Sequence, residues 1–508
     1  MTRRPSFDDA ESAPGRAGAS SSGRVVVPID PVHSLDSKFC EPELPHAGST
    51  DPASPRFAPG EGLAWAALLA LVALIIVQNL WFGGPPPEET ERSPADHFEL
   101  VFQAKYLIGA QEIFGDLQDS SPMLESLGVG DDLMIGTLEA LAVTPRERLA
   151  LVPVVAHLGD VERAREMLAG LRADLDLAEE VHGDAEALGA LLEVPPRRPE
   201  PGQEQRLRTV YGWFGDLALS FAAPSDGDTA SPEPLSAARR LTLAVIAGFG
   251  VALLLLAAGC LLALVAGAQL LQGRLRSAYA RSVTDRGARV PYLEALVVFV
   301  FALQILGLLA GVAAALTDSL APLLLNWLAL PAALWPLLRG RSRGEVLAAI
   351  GWTRGRGAWR EVGAGLIGYL AAMPLLALGL LATAVVARFS QATPHHPIVD
   401  WMQGASVFDL LMIYLLATVW APVAEESLFR GAFFHYVRGR RGALVSGLLV
   451  ALVFAVIHPQ GIVGVPFLVS LAVALALVRE WRGSVIAPMT MHCLHNGLAI
   501  TAMVFLLR

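Results

Sequence analysis

From position 240 onward the chain is dominated by apolar runs, broken at intervals by short polar segments, many of them rich in arginine. A helix needs about 20 mostly apolar residues to cross the hydrocarbon layer of a bilayer. Stretches that meet or approach this length lie at 61–83, 240–271, 291–316, 319–338, 362–388, 406–437, 443–458, 461–478 and 484–506, the seventh and eighth being short. The pattern predicts an all-α, polytopic membrane protein with about nine transmembrane helices. Residues 1–60 show no hydrophobic periodicity, are rich in Pro, Ser, Gly and Asp, and read as a disordered tail. The apolar run at 61–83 begins too late for a signal peptide and reads as a retained anchor.

Residues 84–238 form the long soluble segment. Within it, "RLALVPVVAHLGDVERAREMLAGLRADL" places apolar residues at helical spacing on both sides of Gly159-Asp160, which predicts a helical hairpin. One such unit is similar to a tetratricopeptide repeat, whereas repeat folds need about three units to be stable, so a small helical domain is the simpler reading. "GGPPPEETERSP" and "APSDGDTASPEPLS" flank it as linkers. The expected organisation is a cytoplasmic tail (1–60), an anchor (61–83), this domain (84–238), three spans with Arg-rich loops (239–361) and a C-terminal core (362–508).

Composition and charge sharpen this picture. Of 508 residues, 54% are hydrophobic, more than a soluble domain of this length carries. Residues 84–238 hold 29 acids against 11 bases, a balance of −18, while the whole chain is at −10, leaving +8 elsewhere. The positive charge follows alternate spans: Arg274, Arg276, Arg281, Arg286 and Arg289 after the second, Arg339 to Arg360 after the fourth, Arg438, Arg440 and Arg441 after the sixth, Arg479 and Arg482 after the eighth. The positive-inside rule puts these loops in the cytoplasm, the N-terminus inside, the C-terminus outside and the acidic domain outside. A prokaryotic inner membrane is the expected location, and nucleic acid is not an expected partner. Cys40, Cys260 and Cys493 occupy unrelated environments and imply no disulfide framework.

Most familiar catalytic motifs are missing: there is no HExxH and no Walker loop. "GRSRG" at Gly340 to Gly344 spells GxSxG but lies in an Arg-rich loop with no preceding strand. Gly307 and Gly311 form a GxxxG pair, a helix-packing signal. Polar residues inside spans say more, because each needs a partner or a use. The sixth span carries Glu425, Glu426 and Arg430 (EExxxR), the seventh Phe454 and His458 (FxxxH), the ninth His492 and Asn496 (HxxxN). Glu426 and Arg430, four apart with the acid first, suit a helical ion pair. Glu425 points about 100° away and stays free to act as a base. Counted from the Arg clusters, Glu425 lies at about 18 Å, His458 at about 22 Å and His492 at about 12 Å, so the three overlap in depth. A carboxylate, two imidazoles and an amide can activate water and hold an oxyanion. The same Glu425, His458 and His492 suit Zn²⁺ as ligands.

The order EExxxR, FxxxH, HxxxN on spans near the C-terminus resembles the CAAX protease and bacteriocin-processing (Abi) family of intramembrane proteases, over residues 360–508. The resemblance implies that Glu425 and His458 activate the attacking water, that His492 and Asn496 bind the oxyanion, and that Glu426 and Arg430, with Phe454, support the site. Members have been called metalloproteases, and a glutamate-activated mechanism without an essential metal is also consistent; both stay open. The implied function is an intramembrane endopeptidase that cuts near the C-terminus of a membrane-embedded or lipid-modified protein or peptide in the bilayer. The added tail, first span and acidic domain depart from the simple family pattern and point to an extracytoplasmic protein partner. The alternative is a non-proteolytic membrane adaptor or sensor acting through its outer domain. His495 is expected beside the site, His435 at the interface, and His395 and His396 as solvated loop residues; Cys493, about 100° from His492, is not the expected nucleophile.

Overall fold

The structure is a computed structural model that describes residues 58–82, 97–118, 131–174, 178–222, 233–279, 286–317, 319–390, 397–402 and 405–507. Cys40, Arg281, His395, His396 and the tail to residue 57 lie outside them. Every regular element among the described residues is helical.

Helices occupy all nine predicted stretches: α1 (Glu61–Phe82), α9 (Glu233–Leu271), α10 (Arg286–Thr317), a 3-10 helix (Ala321–Leu334) continued by Trp335–Leu338, α12 (Ala358–Ser390), α13 (Val407–Arg438, in consecutive α and π segments), α14 (Ala443–Val456), α15 (Gly461–Arg482) and α16 (Ile486–Leu507). Seven of these are long and apolar enough to cross a membrane. Of the other two, α14 has only 14 residues and α16 has 22, with the polar set around His492 in its first half. The protein is thus a multi-pass helical membrane protein.

Between α1 and α9, seven helices among the described residues pack around their own apolar core: α2 (Phe98–Gln118), α3 (Asp131–Leu141), α4 (Pro145–His157), α5 (Val161–Ala173), α6 (Glu179–Leu191), α7 (Pro201–Tyr211) and α8 (Trp213–Leu219). The hairpin read from the sequence is α4–α5. Thr144 caps α4 by accepting from the Glu147 N–H, with Glu147 reaching back to the Thr144 N–H at 2.9 Å, and Asp160 caps α5. At 39 residues α9 is about 58 Å long, far more than the hydrocarbon layer needs. Its first turns belong to the soluble domain: Trp213 Nε1 donates to Pro234 O, and Thr242 Oγ1 to Tyr106 O. Gly109 of α2 lets the two helices touch, since a Cβ there would lie 2.3 Å from Ala238 O. The span therefore emerges from the domain as one unbroken helix, and the Pro234–Ser236 end of the predicted linker is helical.

Contacts between charged groups gather the helix ends. Glu61 of α1 pairs with Arg440 and Tyr436; Glu294 of α10 with Arg339; Glu361 of α12 with Arg482; Arg438 with Glu480 of α15. Arg-bearing ends of successive helices thus meet at one end of the bundle, and alternation sends α1 out of, and α9 back from, the other end, where the soluble domain is attached. Arg479 and Arg482, read as loop charges, are buried (1% and 8% exposed). Arg482 forms a bidentate pair with Glu361 at 2.8 Å, and Arg479 donates to Arg430 O and Ala349 O at 3.1 Å. The GRSRG decoy is a helix cap: Ser342 accepts from the Glu345 N–H at the start of α11 (Arg343–Ile350).

Candidate active site

The site lies where α13, α14 and α16 meet. Helix α13 is not uniform: Leu416–Trp420 and Glu426–Phe433 are π-helical, a form found mostly as single-turn bulges and often at functional sites. Pro422 explains the first bulge. Proline has no N–H, and just before it the Ala421 N–H reaches five residues back to Leu416 O. Ala417 O is therefore left without either helical donor, Ala421 being engaged and Pro422 having none. Asn496 of α16 supplies the missing bond, its Nδ2 donating to Ala417 O at 2.8 Å.

The two acids part company as their spacing predicts. Glu426 and Arg430, both fully buried, pair at 3.0 Å, and Glu426 Oε1 also accepts from His492 Nδ1 at 3.0 Å. Arg430 donates to Ala472 O at 3.3 Å and stands over the Phe454 ring, 4.4 Å from its centre. Such desolvated charges persist only when matched in this way. Glu425 turns instead to the histidines: its Oε2 is 3.9 Å from His458 Nε2 and 3.9 Å from His492 Nε2, and it has no hydrogen-bond partner among the described residues.

Each imidazole is fixed through its other nitrogen. His458 Nδ1 donates to Phe454 O at 2.5 Å, one turn back, and His492 Nδ1 donates to Glu426. These bonds place the proton on Nδ1 in the neutral rings and turn both Nε2 atoms toward Glu425. Phe454 is central to the packing: its ring lies 4.1 Å from that of His458, meets Phe429 edge-on at 5.1 Å and faces His492 at 6.4 Å.

Six of the seven expected site residues therefore converge by direct contact: Glu425, Glu426, Arg430, Phe454, His458 and His492. Asn496 is adjacent, but its amide is engaged with Ala417 O rather than sharing a partner with His492. His495 stands on the α12 and α15 side, 3.3 Å from Tyr369 Oη. His435, expected at the interface, is buried (6% exposed) and bonded to Tyr279 Oη at 2.9 Å.

The sequence did not reveal Arg479, which holds the Arg430 carbonyl from α15, nor Asn79 of α1, whose Nδ2 donates to His458 O at 3.1 Å. An arginine at the end of an apolar run looks like any other flanking charge, and an asparagine near the end of a lone span looks interfacial. For Zn²⁺ the donors are right in kind. Yet no group of three His, Cys, Asp or Glu side chains among the described residues closes on one point as ligands would.

A carboxylate and two imidazoles, each ring held through its other nitrogen, thus converge inside a bundle of apolar helices. Residues 407–498, which span α13 to the middle of α16 and hold every one of these groups, match the family model of type II CAAX prenyl endopeptidase Rce1-like proteins. This part of the chain is similar to that family. No curated protein and no solved structure matches the chain.

Proposed function

We propose that the protein is a glutamate-dependent intramembrane endopeptidase of a prokaryotic cell membrane, which hydrolyses a peptide bond near the C-terminus of a membrane-embedded or lipid-modified protein. The observation that carries this reading is the pair of equal 3.9 Å distances from Glu425 Oε2 to the two Nε2 atoms. This separation exceeds a direct hydrogen bond and suits one bridging water. Glu425 takes a proton from that water while His458 Nε2 orients it, and the oxygen attacks the scissile carbonyl carbon. As the carbonyl oxygen gains charge, His492, held through Nδ1 by Glu426, donates to it from Nε2 in the form that carries both ring protons. The second Asn496 N–H is a further donor, the first being fixed on Ala417 O. Collapse of the tetrahedral intermediate breaks the C–N bond, and the proton held by Glu425 passes to the leaving amine.

The type II CAAX prenyl endopeptidase match favours a lipid-modified C-terminus as substrate. The test compares membrane and secreted proteins from cells with the wild type and with Glu425→Gln. C-terminal fragments present with the wild type should vanish in the variant. An unchanged fragment pattern would leave an adaptor role as the better account. Repeating the assay with a chelator separates the two chemistries: cleavage that persists is glutamate-type, and cleavage that stops and returns with Zn²⁺ is metal-dependent.

A further inference from the structure

We infer that the site receives its substrate from the end of the bundle that carries the 97–222 domain, so that the scissile segment belongs to a protein presented on the same side of the membrane as that domain. The chemistry rests on the hydrolytic reading above; the direction rests on geometry.

The opposite end is closed. Every residue from Glu426 to Val437 is buried, including four aromatic rings: Phe429, Phe433, Phe434 and Tyr436. Below them Arg479 is tied to two backbone carbonyls, and the Arg438–Glu480 and Arg482–Glu361 pairs tie the helix ends together. The Ala278 and Tyr279 N–H groups bond to Trp481 O and Glu480 O, laying a further strand of chain over this floor. A peptide entering here would have to break these two ion pairs, one of them buried.

The other end is less enclosed by protein. From Val407 to Val419 all residues of α13 except Ile413 are at least partly exposed, as are residues 493–499 of α16. Exposure then reaches the reactive groups: the side chain of Glu425 is 15% exposed and that of His458 19%, against 0% for Glu426. Helix α14 accounts for the depression. Its 14 residues rise about 21 Å, short of the roughly 30 Å hydrocarbon layer. The turn His458-Pro459-Gln460-Gly461 therefore ends below the reach of a full span, and we assign the step it leaves, with His458 at its base, as the entry recess. Asn79, bonded to His458 O, lies in the last turn of α1, which leads to the soluble domain; α9 returns from that domain at the same end. The recess and the domain thus share a side, whichever way the bundle is inserted.

Side-specific labelling tests this without a substrate. In a chain with Cys40, Cys260 and Cys493 replaced by Ser, single cysteines are placed at Gln460 in the recess, at exposed Glu193 in the domain and at exposed Arg354 at the Arg-rich end. An impermeant maleimide is applied to intact cells and to inverted vesicles. Gln460→Cys and Glu193→Cys should label from one face and Arg354→Cys from the other. Ile462→Cys, 74% exposed in the same turn region, repeats the test should Gln460→Cys not fold. Labelling of the recess with Arg354→Cys, or from neither face, would overturn the inference. So would fragments, lost in Glu425→Gln cells, that derive from protein segments on the Arg354 side. Because labelling needs no catalysis, its failure would leave the Glu425 assignment standing, and an inactive site would leave the labelling pattern intact.

Discussion

Glu425 and Glu426 are adjacent in the chain and serve different ends. Glu426 is consumed by two partners, Arg430 and His492, and is structural as well as electrostatic. Replacing Arg430 with Met should therefore destabilise the bundle by about 3–5 kcal/mol, because an uncompensated buried carboxylate remains; thermal unfolding in detergent reads this directly. Asn496 is expected to act on both stability and rate. Asn496→Ala orphans Ala417 O at a cost of about 1–3 kcal/mol and removes one proposed oxyanion donor, so its kcat should fall further than its stability loss explains. The EExxxR, FxxxH and HxxxN spacings made most of this site legible, since i, i+4 pairs on helices fix which side chains can share a face. The bond from Asn496 to Ala417 was not legible: it depends on the π-bulge before Pro422, a departure from 3.6-residue periodicity that hydrophobic pattern does not encode.

At the scale of elements, helix α1 is part of the machinery rather than a detached anchor. Glu61 fixes one end to Tyr436 and Arg440, Gln304 Nε2 donates to Gln78 Oε1 at 2.6 Å, and Asn79 holds the His458 carbonyl. Asn79→Leu should lower kcat by roughly 10-fold to 100-fold with little change in KM, since it loosens the position of one reacting group. A proportional rise in KM instead would mean that α1 contacts substrate. These contacts were hidden in the sequence because they join residues more than 200 positions apart through single polar atoms. The helices themselves were visible, as apolar length and flanking arginines report spans well. Arg479 and Arg482 read as charges of a cytoplasmic loop, because a buried arginine and a flanking one look alike until their partners, Arg430 O and Glu361, are placed beside them.

For the whole molecule, a helical domain with its own apolar core is joined to the helix bundle through α1 and α9. The domain has its own acid sensitivity. Burial alone would raise the Glu147 carboxyl, but the Thr144 backbone bond and the neighbouring His97 outweigh it and hold it below the usual carboxylate range. A depressed folded value stabilises above the unfolded pKa of about 4.3 and is lost as pH falls through the folded value. Hydrogen exchange in α4 of the full-length protein should accelerate as the pH drops below about 4, and Glu147→Gln should already exchange faster at neutral pH and show less of that acid dependence. Glu425 as general base is tested by the cleavage rate of an identified substrate in proteoliposomes, wild type against Glu425→Gln, with folding verified by thermal unfolding. Loss of a positioned general base predicts a fall on the order of 10²-fold to 10⁴-fold in kcat with the fold intact; a folded Glu425→Gln protein that cleaves at the wild-type rate would contradict it.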